Sequence, residues 1–135
     1  MIATSRPGPS LLLRRLCLVL AAAVAFQLFY LGATPFAVGL IQPPWDKIAH
    51  FLVYSALALL IWIGTAGRTP LAVIAAVAII GGLDELHQAS LPGRAADAAD
   101  FLVDVGAITC ASVVMLLLDA RSQPNQGEWK RPVKR

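Results

Sequence analysis

The residues that could carry chemistry fall in three short groups inside an otherwise apolar chain. Carboxylates and imidazoles can act as acids, bases or metal ligands, and basic side chains can hold phosphates or carboxylates. Ionisable groups in an apolar environment are costly and usually functional, so these groups indicate where to look for a site. The three groups are Asp46, Lys47 and His50, then Asp84, Glu85, His87 and Gln88, and then Arg94, Asp100 and Asp104.

The surrounding sequence predicts the elements that position these groups. The chain has 135 residues, of which 58% are hydrophobic and only 14% are charged. A helix of about 20 apolar residues is long enough to cross a bilayer. We therefore expect an all-α membrane protein, a bundle of four transmembrane helices with an uncleaved first helix. The apolar runs place these helices at about 16–33, 46–65, 71–90 and 98–118.

The basic residues predict how the bundle is oriented, because Lys and Arg are enriched at the cytoplasmic ends of membrane helices. With four spans, nine basic residues lie on the side of the two termini, and only Lys47 and Arg94 lie on the other side. We expect a multi-pass protein of the cytoplasmic membrane, with its polar groups on the extracytoplasmic side. Both terminal segments, 1–15 and the basic, disordered tail 119–135, are then cytoplasmic and flank a transmembrane domain at 16–118.

The second helix carries a polar stripe at its beginning. Asp46, His50 and Tyr54 are spaced four residues apart, so they share one face of the helix. Asp46 is also expected to cap the helix N-terminus. Lys47 can extend its ammonium towards the membrane surface. His50 lies about one turn inside the helix, where a functional histidine and a satisfied core histidine are both reasonable interpretations.

The third helix carries four polar side chains near its end. Asp84, His87 and Gln88 follow helical spacing and are expected to share a face, from which Glu85 is rotated by one residue. Glu85 is expected either to find a cationic partner, such as Arg94, or to have its pKa raised. The alternative interpretation is a helix end that simply reaches water.

The fourth helix begins with a repeated acid. Asp97, Asp100 and Asp104 recur at helical spacing and should form one stripe that faces the bundle. Asp97 is expected in the first turn, where the helix dipole favours a negative charge. Asp100 and Asp104 lie deeper, so the basic residues and histidines must neutralise them if the cluster is only structural.

The order and spacing of these residues resemble the VanZ-like family of small membrane proteins over about residues 30–118. The resemblance implies a bundle of about four membrane helices, and the family's namesake is associated with low-level teicoplanin resistance. The motifs that carry it are Asp46-Lys47-x-x-His50-Phe51-x-x-Tyr54, Glu85-x-x-Gln88, and Pro92-Gly93-Arg94 followed by Asp100.

Two positions depart from the family's commonest pattern. An asparagine usually stands where this chain has Asp104, and a glycine usually stands where it has Ala107. The extra acid makes the polar groups more negative and favours cation binding. Carried over by position, the resemblance marks Asp46, Lys47, His50, Glu85, Gln88, Arg94, Asp100 and Asp104.

The sequence favours a site that binds or modifies a cell-envelope molecule, either lipid-linked or related to peptidoglycan. It leaves open whether the protein is an enzyme, and it lacks an obvious activated serine or cysteine that could act as a nucleophile. The alternative is a structural protein whose polar cluster only specifies helix packing. The residues assigned to binding are Lys47, Tyr54, Gln88 and Arg94, with Asp46, Asp84 and Asp104 as a supporting polar network.

Cofactors and partners follow from the same residue types. No cofactor is predicted, although imidazole and carboxylate together suit a divalent cation such as zinc, manganese or iron. Membrane lipids and an anionic or lipid-linked envelope molecule are the expected partners, and the basic tail does not indicate a nucleic-acid partner. The candidates for catalysis, and equally for a metal site, are His50, Glu85, His87 and Asp100.

Overall fold

The computed structural model describes residues 8–94 and 97–122, and this part of the chain is helical without β-strands. All four long helices are long and apolar enough to cross a membrane, which confirms the predicted all-α membrane fold. A short 3-10 helix, Pro35–Ala37, lies in the connection after the first of them. The long helices are α1, Leu11–Gly32, α2, Trp45–Thr65, α3, Pro70–Ala89, and α4, Ala98–Ser122.

Local signals set the helix ends. α1 begins at Leu11, earlier than the expected start near residue 16, because the Ser10 hydroxyl caps it by accepting a hydrogen bond from the Leu13 amide at 3.2 Å. α2 ends where Ala66 adopts a left-handed conformation, with φ of 56°. α4 continues to Ser122, past the expected end at 118. Residues 119–122 are therefore helical, although they were expected to belong to the disordered tail, and the rest of that tail, residues 123–135, lies outside the described part of the chain.

The turn between α3 and α4 has the conformation that its sequence predicts. The Arg94 amide donates a hydrogen bond to the Leu91 carbonyl at 3.2 Å, which closes a four-residue turn. Gly93, the third residue of this turn, has a φ of 76°. A positive φ at that position after a proline is typical of a type II turn and favours glycine.

The helices alternate in direction, so α2 and α4 run parallel to each other and antiparallel to α1 and α3. At one end of the bundle, Arg14 Nε donates to the Gly64 carbonyl at 3.1 Å, which joins the beginning of α1 to the end of α2. We call this the basic end. At the other end, Lys47 near the beginning of α2 binds Asp100 near the beginning of α4. This second end, which also contains the end of α3, is called the polar end.

α2 lies at the centre of the bundle and contacts the other three helices. The core around it is narrow, and Tyr54, Leu57, Val77 and Ile108 are among its fully buried residues. Many large apolar side chains point outwards, and Leu71 is 81% exposed. In a transmembrane bundle these outward faces contact lipid, so a narrow protein core suffices.

Gly64 allows α1 and α2 to approach closely at the basic end. A Cβ atom added there would lie 2.6 Å from the Leu18 side chain and 3.3 Å from the Arg14 carbonyl oxygen. Gly106 on α4 is the matched control, because no atom lies within 4 Å of a Cβ added there.

We expect Gly64→Val to lower the free energy of unfolding by about 1–3 kcal/mol, since the new side chain must push α1 away from α2. Gly106→Val should have little effect. Thermal stability in detergent, followed as the loss of the monodisperse peak in size-exclusion chromatography after heating, measures both. Equal melting temperatures for the two variants would contradict the described helix contact.

Candidate functional site

Acidic residues concentrate at the polar end, which holds six of the chain's eight Asp and Glu residues. An unpaired charge inside an apolar bundle costs several kcal/mol, so each buried acid requires hydrogen bonds, a cation or a proton. Asp46 and Asp97 are at least partly exposed. The four acids of the cluster that are buried are Asp84, Glu85, Asp100 and Asp104.

Lys47 is the cation that holds the beginnings of α2 and α4 together. Its ammonium donates to Asp97 Oδ2 at 2.6 Å and to Asp100 Oδ1 at 2.5 Å. Asp46 Oδ2 lies 3.5 Å from the same nitrogen. One flexible side chain thus contacts three carboxylates, of which Asp97 precedes α4 and Asp100 lies in its first turn.

Asp97 connects α3 to α4 through both its backbone and its side chain. Its amide donates to Glu85 Oε2 at 2.8 Å, and its own Oδ1 accepts from the Ala99 amide at 2.8 Å. The second bond is that of a helix N-cap, so Asp97 precedes the first turn in which the sequence analysis placed it. The hydrogen bond from Lys47 lowers the pKa of the exposed Asp97 carboxyl below its ordinary value.

His50 is positioned by a fully buried carboxylate on α4. Its Nδ1 lies 2.9 Å from Asp104 Oδ1, and its ring stacks on Tyr54 with centroids 5.9 Å apart. Space for Asp104 comes from Gly81 on α3, since a Cβ there would lie 3.1 Å from Asp104 Oδ2. A carboxylate oxygen accepts hydrogen bonds, so the contact favours a proton on Nδ1, and in the neutral imidazole the lone pair is then on Nε2.

A second chain of hydrogen bonds runs from the core to the turn before α4. The Tyr54 hydroxyl donates to Asp84 Oδ2 at 3.3 Å, and Gln88 Nε2 donates to the same oxygen at 3.1 Å. Arg94 Nη1 then donates to Gln88 Oε1 at 3.1 Å. These bonds fix the Gln88 amide, so that it presents its oxygen to the guanidinium.

A cavity of about 590 Å³ opens beside these networks. One wall comes from α1, the connection at residues 37–41 and the first turns of α2. It is apolar apart from Gln27, with Leu28, Ile41 and Val53 as examples. The other wall is polar, so a molecule in the cavity would contact hydrocarbon and charged groups at the same time. The polar side chains that line the second wall are Asp46, His50, Tyr54, Asp84, Gln88, Arg94 and Asp100.

The structure places most, but not all, of the expected side chains at this cavity. Lys47, Glu85 and Asp104 do not line it. Lys47 contacts the lining residue Asp100, and Asp104 contacts the lining residue His50. Glu85 accepts a hydrogen bond from the amide of Asp97, which precedes α4. His87 points elsewhere: its ring packs against Phe29 of α1, with centroids 5.4 Å apart. Its Nδ1 is buried and has no hydrogen-bond partner within residues 8–94 and 97–122.

Two contacts considered from the sequence do not form among the described residues. Asp46 does not cap α2, because the helix begins at Trp45 and the position before it is Pro44, which has no side-chain donor or acceptor. Asp46 instead lies in the first turn beside Lys47. Arg94 does not pair with Glu85 among the described residues, since its guanidinium reaches Gln88 and the Asp97 amide occupies Glu85 Oε2.

α1 and the connection after it also line the cavity, which the sequence patterns did not predict. Gln27 lines the cavity, and so do Ala37, Val38, Gly39, Leu40 and Ile41. Gln27 did carry a signal, because it is a polar residue within the first apolar run and lies in the half nearer the polar end. Neutral loop residues give no such signal, since their composition does not distinguish a cavity wall from an ordinary connection.

No protein-family model, curated protein or solved structure matches the chain. Inferences about function therefore rest on the chemistry of the side chains at the polar end. Arg94 has a buried Nε with no partner in the described part of the chain, which leaves N–H groups for a phosphate or carboxylate. His50 offers Nε2 as a base or a ligand, and the excess of acids favours cations.

We expect Lys47→Met to lower the free energy of unfolding by about 1–3 kcal/mol, because it leaves the buried Asp100 without its cation. The double variant Lys47→Met/Asp100→Asn should recover much of this loss, since no unpaired charge remains between the two side chains. The matched control is Arg68→Met, which removes an exposed cation at the basic end. Thermal melting in detergent measures all three, and a Lys47→Met effect no larger than the control would contradict the role of this contact.

Proposed function

We propose that this protein binds an amphiphilic cell-envelope molecule, such as a lipid-linked peptidoglycan precursor, in the cavity at the polar end. The observation that supports this best is the division of the cavity into an apolar wall and a polar wall. Ligand pockets of about 300–1,000 Å³ typically bury most of a small ligand and orient it with a few polar groups. The cavity, at about 590 Å³, has this size and this distribution of residues.

In this proposal the two walls have separate roles. The apolar chain of the ligand lies against α1 and the first turns of α2, and the headgroup lies against the second wall. Arg94 and Gln88 are suited to an anionic or hydroxylated headgroup because they offer donors in a fixed orientation. Membership of the VanZ-like family, with its association with glycopeptide resistance, is part of the same proposal and rests on the sequence resemblance.

The proposed location is the cytoplasmic membrane, with the polar end on the extracytoplasmic side. The described part of the basic end carries Arg14, Arg15, Arg68 and Arg121, and such residues flank the cytoplasmic ends of membrane helices. An outward-facing cavity is accessible to envelope precursors after they have crossed the membrane.

Catalysis is the second candidate, and the contact between His50 and Asp104 favours it. A carboxylate that orients an imidazole beside a cavity is a common arrangement for a general base. Glu85 and Asp100 lie close enough to assist, whereas His87 packs against Phe29. A purely structural role for the polar cluster is the remaining alternative.

Binding is tested by filling the cavity without changing its charges. Ala49 lines the cavity, so Ala49→Phe should weaken binding of a lipid-linked peptidoglycan precursor by about ten-fold or more in lipid nanodiscs. Ala56→Phe is the matched control, because Ala56 is exposed on the same helix and does not line the cavity. Equal affinity in the two variants would contradict the proposal. Following the bound precursor for turnover in the same assay separates a binding protein from an enzyme.

The orientation is tested by reporter fusions to the full chain. A green fluorescent protein at the C-terminus should fluoresce, and alkaline phosphatase at the same position should be inactive, because both reporters would then be cytoplasmic. Phosphatase inserted after Gly93 should be active. The opposite pattern would place the polar end in the cytoplasm and would exclude an extracytoplasmic ligand.

A further inference from the structure

His50, Glu85 and Asp100 come from three different helices and converge at the polar end. One nitrogen or carboxylate oxygen from each residue lies within 4.8 Å of those of the other two. Two ligand atoms on the same ion, each at about 2.1 Å, lie at most about 4.2 Å apart. Small side-chain rotations are therefore enough to bring the three atoms to coordinating distance.

Glu85 provides a second, independent observation that points to a ligand at this contact. The residue is 7% exposed, and its Oε2 is held by the Asp97 amide at 2.8 Å. Its Oε1 is buried without a hydrogen-bond partner in residues 8–94 and 97–122. A buried carboxylate oxygen without a partner is unfavourable, and a cation would satisfy it.

His50 is oriented as a metal-bound histidine usually is. Histidines that bind metals through one ring nitrogen generally donate the other N–H to a carboxylate or a carbonyl. Asp104 supplies that carboxylate at 2.9 Å from Nδ1, and it is fully buried between α3 and α4. Nε2 is then the nitrogen that remains for an ion.

The charge balance of the polar end also favours a cation. Its six acids are accompanied by two permanently charged basic residues, Lys47 and Arg94, within the described part of the chain. Lys47 does not replace an ion at Glu85, because its ammonium contacts Asp46, Asp97 and Asp100 instead. A divalent ion would reduce the excess of negative charge where the acids are buried.

We propose that His50, Glu85 and Asp100 bind one divalent cation of the zinc, manganese or iron class at the polar end of the cavity. A mixed set of imidazole and carboxylate ligands suits these ions better than it suits Mg²⁺ or Ca²⁺, which prefer oxygen ligands alone. Asp104 is a positioning residue in this arrangement, since it acts through His50. Three protein ligands leave at least one position in a coordination shell of four or more for water or for an oxygen of a bound headgroup.

A cation at this position would also change which headgroups the cavity can bind, an inference that rests on the function proposed above. Six acids repel an anionic headgroup, whereas an ion held by His50, Glu85 and Asp100 would bind a phosphate oxygen directly. A divalent cation would thus allow an acidic cavity wall to accept a phosphate-bearing amphiphile, with Arg94 as a second contact.

The experiment uses the full chain, purified in detergent through an affinity tag without histidine and stripped with a chelator. Zn²⁺ alone is titrated by isothermal calorimetry, and Co²⁺ alone is followed by its visible absorption spectrum. We expect one ion per chain. Glu85→Gln should weaken binding by more than ten-fold, and Asp104→Asn by about 10- to 100-fold. Since glutamine can still accept the Asp97 hydrogen bond, Glu85→Gln should fold.

Two controls make the result specific. His87→Gln removes the other histidine of the described region, and Cys110→Ser removes an exposed thiol, and both should bind Zn²⁺ like the wild type. Equal affinity for wild type and Glu85→Gln, or less than one ion per chain in the wild type, would overturn the proposal. Should a variant fail to fold, the Co²⁺ spectrum of the wild type still decides, because thiolate or purely oxygen ligation contradicts a site built on His50.

The amphiphile is tested in a separate arm, so the two proposals fail independently. Polyprenyl phosphate in nanodiscs should bind the wild type more tightly with Zn²⁺ than with a chelator, and Glu85→Gln should abolish the difference. Binding that ignores Zn²⁺ would overturn the bridging role of the ion. If the wild type binds no Zn²⁺ but still binds the amphiphile, the metal site is overturned and the proposed function stands.

Discussion

The neutralisation of buried acids in an apolar bundle is the constraint on which the polar end depends. Two parallel helices, α2 and α4, meet there through two contacts, from Lys47 to Asp100 and from His50 to Asp104. The partners lie three residues apart on α2 and four residues apart on α4, so both contacts form on facing stripes. They fix the register of the two helices, and α3 then adds Asp84 and Glu85 to the same region.

Some polar atoms of this network take no part in the contacts between the helices of the described region. Glu85 Oε1, Asp104 Oδ2 and Arg94 Nε are buried atoms that find no hydrogen-bond partner in the described part of the chain. A network that served only to specify helix packing would be expected to satisfy its members, because each unsatisfied group lowers stability. Their position beside a half-apolar cavity is the main reason for interpreting the polar end as a binding site.

The sequence predicts the helices and much of the cluster, because both follow from periodicity. The stripe of Asp46, His50 and Tyr54 does line one cavity, and the stacked rings of His50 and Tyr54 show their shared face. The spacing of Asp84, His87 and Gln88 was less informative. At 100° per residue, positions 87 and 88 lie on opposite sides of position 84, and only the arrangement of neighbouring helices decides that His87 turns towards α1. Helical spacing also places Glu85 one residue's rotation away from this stripe. Even so, Glu85 is buried and accepts a hydrogen bond from the Asp97 amide.

Nuclear Overhauser effects in nanodiscs can test whether an amphiphile occupies the cavity, as proposed. The nanodisc lipids are deuterated, the precursor is protonated, and the alanine methyl groups of the protein are labelled. The account predicts Overhauser effects from the chain of the precursor to the methyl group of Ala49, which lines the cavity, and not to that of Ala56. Effects of equal strength at both positions, or at neither, would show that the precursor does not enter the cavity and would contradict the account.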